Sequence, residues 1–357
     1  MSANPFVTDD VRITDIRPLI SPAILMQDFP AGHEASRVVF DAREEFRRIL
    51  KKEDDRLAVM VGPCSIHDTV AAIDYAGRLA EARAKYQEDL LLIMRVYFEK
   101  PRTTVGWKGL INDPFMDGSY NINSGLRMAR GLLLRLAEMG VPSATEFLDV
   151  ITPQYISDLI AWGAIGARTT ESQVHRELAS GLSMPIGFKN GTTGSVQIAV
   201  DGIVSAEHPH CFLSVTKQGV SAIVSTSGND GCHIILRGST QGPNYSPEHV
   251  RRAWDMQQKA GISNRIMVDC SHGNSRKKWQ DQHLVAEAIA AQLAAGEDNI
   301  GAVMIESNIN SGNQKCTPGT PLQYGVSITD ACVDWQGTLD MLATLAEGVR
   351  ARRSAKK

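Results

Sequence analysis

Leu90-Leu91-Leu92-Ile93-Met94-Arg95-Val96-Tyr97-Phe98-Glu99-Lys100-Pro101-Arg102-Thr103-Thr104-Val105-Gly106-Trp107-Lys108-Gly109 reads as a buried strand that runs into a cationic loop. The run Leu90 to Met94 is apolar throughout, the pattern of a strand covered on both faces. Arg95, Lys100, Arg102 and Lys108 place four cations within fourteen residues, in a loop punctuated by Pro101, Gly106 and Gly109. Cations at the end of a buried strand suit dianionic ligands such as phosphate or carboxylate.

Outward from this stretch the same unit repeats. Short apolar strands are predicted at 57–62, 90–96, 143–148, 164–168, 185–189, 233–237, 266–270 and 301–305. Helical patterns follow them at Val70–Tyr86, Gly125–Met139, Pro153–Trp162, Glu171–Gly181, Ser195–Ala206, Pro247–Ala260, Gln280–Ala295 and Thr338–Arg350. Eight strands, each followed by a helix, predict an α/β fold with a single (β/α)8 TIM barrel over 57–357. Two extended runs, Cys211–Thr216 and Ala222–Thr226, flank Gly219 and read as a β-hairpin, about 211–227, inserted before the sixth strand. Residues 1–56 lack the strand-helix rhythm and read as an N-terminal extension, with a helix over Glu34–Lys52 that turns Val38, Val39, Phe46 and Ile49 inward. Asp9-Asp10 ahead of it is a helix-start signal.

Composition narrows the partners. The 357 residues carry a net charge of −3 and are 43% hydrophobic and 22% charged, as in ordinary globular proteins. No global field favours nucleic acid or an anionic membrane, so the basic cluster points to a focused small-anion site. No apolar run reaches about eighteen residues, and Met1 to Asp10 has no signal-peptide pattern. Six scattered cysteines without a CxxC pair argue for a reducing, cytoplasmic setting. Arg350, Arg352, Arg353, Lys356 and Lys357 read as a short solvated tail.

In such barrels catalytic groups sit at the C-terminal ends of the strands. The predicted ends carry Cys64 (in Gly62-Pro63-Cys64-Ser65-Ile66-His67-Asp68), Arg95, Glu146, Arg168, Lys189, Arg237, His272 (in Asp269-Cys270-Ser271-His272) and Glu306. Ionisable residues are sparse at the ends of apolar strands, so eight of eight marks an active-site mouth. The cations Arg95, Lys100, Arg102, Arg168, Lys189 and Arg237 form one set, fit for two phosphates and a carboxylate. Cys64, His272, Glu306 and Asp330 form another, able to coordinate one divalent cation. Mixed ligands leave Mn²⁺, Fe²⁺, Co²⁺ and Zn²⁺ open, while the thiolate disfavours Mg²⁺. The P-loop, HExxH, GxSxG and dinucleotide fingerprints are absent, so no nucleotide cofactor is indicated. Two anionic ligands and a Lewis acid suit a carbon–carbon condensation.

The motifs Gly62 to Asp68, Arg95 to Gly109, Gly163 to Ser172, Gly187 to Thr192, His233 to Gly238, Asp269 to Ser275, and Tyr324-Gly325 with Ser327 to Asp330 resemble those of the type I, feedback-regulated 3-deoxy-D-arabino-heptulosonate 7-phosphate (DAHP) synthases. The resemblance covers nearly the whole chain from about residue 8. It implies condensation of phosphoenolpyruvate with erythrose 4-phosphate and water to DAHP and phosphate, the first step of the shikimate pathway. It also implies Cys64, His272, Glu306 and Asp330 as metal ligands. Arg95, Arg168, Lys189 and Arg237, with Glu146 nearby, would hold phosphoenolpyruvate; Lys100, Pro101, Arg102, Thr103 and Asp330 would receive erythrose 4-phosphate. Lys100, Arg95, Glu146, Cys64 and His272 carry the chemistry in this reading.

In the resembling family the extension and hairpin build an allosteric site for an aromatic amino acid at a subunit interface of a homodimer or homotetramer. The matching positions are Asp9, Asp10, Phe147, Val150, Gln154, Leu182, Ser183, Phe212, Ser214 and Val224. Cys211 to Lys217 and Phe147 to Pro153 favour phenylalanine as effector, although Val150 replaces an expected methionine and Met184 resembles the tyrosine-sensitive form. Cys332, two residues past Asp330, is expected close enough to Cys64 for a disulfide once the metal is lost. One rival is the related 8-phosphate synthase, which uses arabinose 5-phosphate, but Lys100-Pro101-Arg102-Thr103 stands where that rival carries Lys-Ala-Asn-Arg. The other is a catalytically silent sugar-phosphate-binding regulator.

Overall fold

Runs of apolar residues, buried at every position, form the strands β1 (Leu57–Gly62), β2 (Leu90–Arg95), β3 (Ser143–Glu146), β4 (Trp162–Ile165) and β5 (Ile186–Lys189). After them come the half-exposed β6 (Cys211–Val215) and β7 (Ser221–Ser225), then the buried β8 (His233–Leu236), β9 (Ile266–Asp269) and β10 (Ile300–Glu306). This computed structural model describes residues 6, 8–317 and 320–355. The eight buried strands close into a parallel barrel in the order β1-β10-β9-β8-β5-β4-β3-β2, and β6 and β7 pair as a separate antiparallel hairpin.

Side chains on each strand alternate between two cores. Leu57, Val59 and Val61 of β1 face the surrounding helices, whereas Ala58 and Met60 face the lumen with Leu91, Ile93, Ala144, Trp162, Ala164, Ile235, Met267, Ala302 and Met304. The helices α1 (Pro22–Asp28) and α2 (His33–Leu50) precede the barrel. Around it run α3 (Thr69–Tyr86), α4 (Ile122–Glu138), α5 (Pro153–Ile156), α6 (Gln173–Gly181), α7 (Gln197–Ala206), α8 (Pro247–Lys259), α9 (Gln282–Ala294) and α10 (Trp335–Ala355).

α2 closes the floor of the lumen. Its Ala42, Phe46, Ile49 and Leu50 join the inward-facing strand residues in one cluster, and the Phe46 ring lies 5.3 Å from that of His233 at the start of β8. Buried Arg265 donates to the carbonyls of Ile49 at 3.2 Å and Asp54 at 2.9 Å, which caps the end of the helix. The extension thus shares the innermost core of the barrel.

Five expectations change. Strand four begins at Trp162, not 164, because Ala144 and Glu146 of β3 pair with Trp162 and Ala164. The helix predicted over Pro153–Trp162 therefore ends early, as α5 and one 3-10 turn, Ser157–Leu159, before the chain enters the sheet. Asp9-Asp10 starts no helix; the chain there is bent and exposed, and the first helix, α1, begins at Pro22 under a Ser21 cap that was not foreseen. Val38 is only half-buried, unlike Val39, Phe46 and Ile49. The basic tail is docked rather than solvated: Arg352 is buried, and Arg353 reaches Asp55 at 2.6 Å and Asp89 at 2.7 Å. Lys356 and Lys357 lie outside the described residues.

Truncating the plug, Phe46→Ala, is expected to cost about 3–5 kcal/mol in urea unfolding, because this side chain fills the closed end of the lumen. A loss below about 1 kcal/mol would show that α2 is not part of that core.

Candidate active site at the C-terminal mouth of the barrel

The inward positions that continue the lumen's alternation past its last apolar residues are Gly62, Arg95, Glu146, Gly166, Lys189, Arg237, Asp269 and Glu306. Period two thus stacks one charged layer on an apolar barrel. Arg95 is fully buried, 3.1 Å from Glu306, with its guanidinium 4.0 Å from the centre of the Tyr97 ring. Lys189 lies between two carboxylates, 3.7 Å from Glu146 and 3.6 Å from Asp269. Gly166 leaves room for Glu146: a Cβ there would stand 2.7 Å from a glutamate oxygen.

A cavity of about 290 Å³ opens above this layer, lined by Lys100, Pro101, Arg102, Thr103, Glu146, Arg168, Lys189, Arg237, His272 and Asp330 among others. Arg168 is on the turn after β4, where it donates to Pro101 O at 3.3 Å and Thr103 Oγ1 at 3.2 Å. The cationic loop closes on itself where Lys100 N–H bonds Lys108 O at 2.9 Å. Gly109 makes this possible: its φ is +114°, and a Cβ would fall 1.9 Å from Phe98 O. Lys100 crosses the cavity to Cys64, with Nζ 3.2 Å from Sγ.

Cys64, Glu306 and Asp330 each place a donor atom within 4.8 Å of the other two. His272 is not among these three. Its Nε2 is 3.9 Å from Glu306, while its Nδ1 lies 2.9 Å from Asp269 and 2.7 Å from Ser271 Oγ. The set has the chemistry of a cation site. Burial and the neighbouring Glu306 push the Cys64 thiol up to about 11, and a divalent ion would supply the charge that lets it ionise. Burial works against Asp330 as well, yet Lys100 and His272 hold its carboxyl below the usual range. Lys100 stays above the usual lysine range despite burial, through Cys64, Glu306 and Asp330. Burial lowers Arg237. Cys332 is fully buried and, like Cys64, a free thiol.

Asp269 had no role in the sequence reading, although it was quoted inside its motif. It is fully buried, and burial would raise its carboxyl, but His272 and Lys189 hold it well below the carboxylate range. The signal lay in the alternation: Met267 faces the lumen, so Asp269 must also face inward.

A second cavity, of about 670 Å³, lies between the hairpin and α5–α6. Val150, Gln154, Leu182, Ser183, Phe212, Ser214 and Val224 all line it. Phe147 is fully buried, packed on Gly163, and is not part of the lining; Asp9 and Asp10 sit exposed on the N-terminal arm, also outside it. Lys217, at the hairpin turn, donates to Gln154 O at 2.6 Å and accepts from Ala23 N–H at 2.7 Å, so hairpin, extension and α5 meet there.

The model of the DAHP synthetase I family matches residues 28–343. A Phe-sensitive phospho-2-dehydro-3-deoxyheptonate aldolase of Escherichia coli K12 is 56% identical over 348 residues, 98% of this chain and 99% of the relative. A tyrosine-inhibited one of Schizosaccharomyces pombe is 52% identical over 353 residues, 98% and 95% of the two chains. The solved phospho-2-dehydro-3-deoxyheptonate aldolase of Francisella tularensis SCHU S4 has a TM-score of 0.94 at 56% identity, over 96% and 99% of the two chains.

Glu99, next to Lys100, yields a pH prediction. It is 4% exposed and accepts from Asp149 N–H at 3.2 Å. Burial and then Asp149 raise its carboxyl from 4.5 to about 8. Its contribution to stability is therefore greatest below pH 4.5 and falls away as pH climbs through about 8. Glu99→Gln lacks this loss, so urea unfolding should show it gaining on wild type by a few kcal/mol between about pH 5 and pH 8. A difference independent of pH would mean that Glu99 is ionised throughout.

Proposed function

The chain belongs to the DAHP synthetase I family, and we propose that it condenses phosphoenolpyruvate with erythrose 4-phosphate and water to DAHP and phosphate through the mouth residues as follows. Arg168, Lys189 and Arg237 hold the enolpyruvate phosphate, Arg95 faces its carboxylate, and Lys100, Pro101, Arg102, Thr103 and Asp330 receive the sugar phosphate. The reading is carried by one observation: all of these groups except Arg95, which lies fully buried in the layer beneath, line a single cavity that also holds His272 and borders Cys64 through Lys100.

Cys64, His272, Glu306 and Asp330 would hold one divalent ion, with Mn²⁺, Fe²⁺, Co²⁺ and Zn²⁺ all compatible with the donor set. When bound, such an ion supplies a Lewis acid for the aldehyde oxygen. Lys100 donates toward that same oxygen, so that enolpyruvate C3 forms the new bond to aldehyde C1. Clamping both substrates from opposite sides of the cavity supplies the alignment a two-substrate step needs. Water then adds at C2, Glu146 takes its proton, and the cations of the phosphate pocket stabilise the departing phosphate.

The hairpin cavity is the seat of feedback inhibition by an aromatic amino acid, phenylalanine being favoured. A homodimer or homotetramer and a cytoplasmic location complete the reading; no helix among the described residues is long and apolar enough to cross a membrane.

Phosphoenolpyruvate consumption by metal-stripped protein should require both an added divalent ion and erythrose 4-phosphate, and phenylalanine should inhibit it more than tyrosine or tryptophan. Turnover with arabinose 5-phosphate, or none with both sugar phosphates bound, would overturn the assignment. Lys100→Met should lower kcat at least about 100-fold with little change in phosphoenolpyruvate binding, whereas Arg168→Ala should act mainly on that binding; equal effects of both on kcat alone would contradict the division of roles.

A further inference from the structure

Asp269 touches none of the space that substrates would occupy, yet it is the most enclosed carboxylate of the charged layer. Its two oxygens have different partners. Oδ1 accepts from Ser271 N–H at 2.9 Å and from Ser271 Oγ–H at 2.6 Å. Oδ2 is buried without a well-formed hydrogen bond of its own; it stands 2.9 Å from His272 Nδ1 and 3.6 Å from Lys189 Nζ as a charge contact. Because Ser271 spends its hydroxyl proton on Asp269, its oxygen, 2.7 Å from the same Nδ1, is free to accept from it. Both neighbours of Nδ1 are then acceptors, so the proton of a neutral imidazole belongs on Nδ1, which leaves a lone pair on Nε2. Nε2 is the nitrogen on the side of Glu306, at 3.9 Å.

We infer that Asp269 is a positioning residue for the metal centre, which fixes the His272 ring and tautomer so that Nε2 is presented as a ligand beside Glu306. This rests on the reading of Cys64, His272, Glu306 and Asp330 as the metal site. Carboxylates that accept from the far nitrogen of a ligating histidine generally raise metal affinity and hold the ring in place. Here the strand does the placing: Asp269 ends β9, and the turn that follows brings His272 back over it with a left-handed φ of 56°.

The isosteric change Asp269→Asn is informative because of the Ser271 pair. The amide oxygen must take the Oδ1 place, where two donors point, and the NH2 then meets Nδ1 as a second donor. That reverses the preferred tautomer, puts the proton on Nε2 and removes the lone pair from the metal.

Mn²⁺ titration calorimetry on the metal-stripped full chain tests this with wild type, Asp269→Asn, His272→Gln and the double variant, each checked for folding by circular dichroism. Asp269→Asn should weaken Mn²⁺ binding roughly 10–100-fold and add nothing in the His272→Gln background. Wild-type affinity in Asp269→Asn, or an equal loss in both backgrounds, would overturn the proposal while leaving the metal site standing. Undiminished binding by His272→Gln would overturn the metal reading beneath it. Should Asp269→Asn not fold, ¹⁵N-histidine NMR of metal-free wild type decides: the resonance lost in His272→Gln should report the Nδ1–H tautomer, and an Nε2–H tautomer would overturn the proposal.

Discussion

Burying charge above an apolar barrel is the constraint on which the rest of this structure depends. Arg95, Lys189, Glu146, Asp269 and Glu306 have almost no exposure, and each must recover lost hydration from neighbours of opposite sign. The recovery is mutual: Arg95 against Glu306, and Lys189 between Glu146 and Asp269. Removal of any one partner leaves another buried and unbalanced, so the layer holds its members in place as a unit. For a reaction that joins two phosphorylated substrates this matters twice. The cations are already desolvated and oriented when the anions arrive, and the carboxylates keep the empty site from carrying a large positive charge.

The layer also divides the mouth. On the side of β4, β5 and β8, Arg168, Lys189 and Arg237 give a surface suited to a phosphate. On the side of β1, β9 and β10, Cys64, His272 and Glu306, with Asp330 from the loop after β10, give one suited to a divalent ion. Lys100 spans the two, since it lines the cavity and reaches the Cys64 sulfur. Beneath the layer, α2 seals the lumen from the opposite end, so the strands are packed along their full length. The hairpin adds a separate cavity beside α5 and α6 without entering the mouth, and the arm before α2 braces that hairpin at Lys217.

The barrel was legible because its strands are short, uniformly apolar and separated by helices of ordinary period. Most strand boundaries fell within a residue or two of the structure; strand four did not, because Ile160-Ala161-Trp162 is equally apolar as the end of a helix or the start of a strand. α1 escaped notice since seven residues carry little periodicity and two prolines obscured its start. The tail was misjudged for a different reason. Its arginines find Asp55 and Asp89, partners that only the closed barrel brings near. In the site, the ends of strands announced themselves by charge against apolar surroundings. Asp269 did not, because His272 three residues on drew the reading to itself. The position of His272 outside the tight group of three donors was likewise invisible, being set by the backbone turn rather than by sequence spacing.

The division of the charged layer into a phosphate side and a metal side is tested most directly by a crystal structure with Mn²⁺ and phosphoenolpyruvate bound, with data collected at the manganese edge. The predicted result is one anomalous peak among Cys64 Sγ, His272 Nε2, Glu306 and Asp330, with the phosphate of phosphoenolpyruvate held by Arg168, Lys189 and Arg237. A manganese ion outside that group, or a phosphate seated on the Cys64 side of Lys100, would contradict the account.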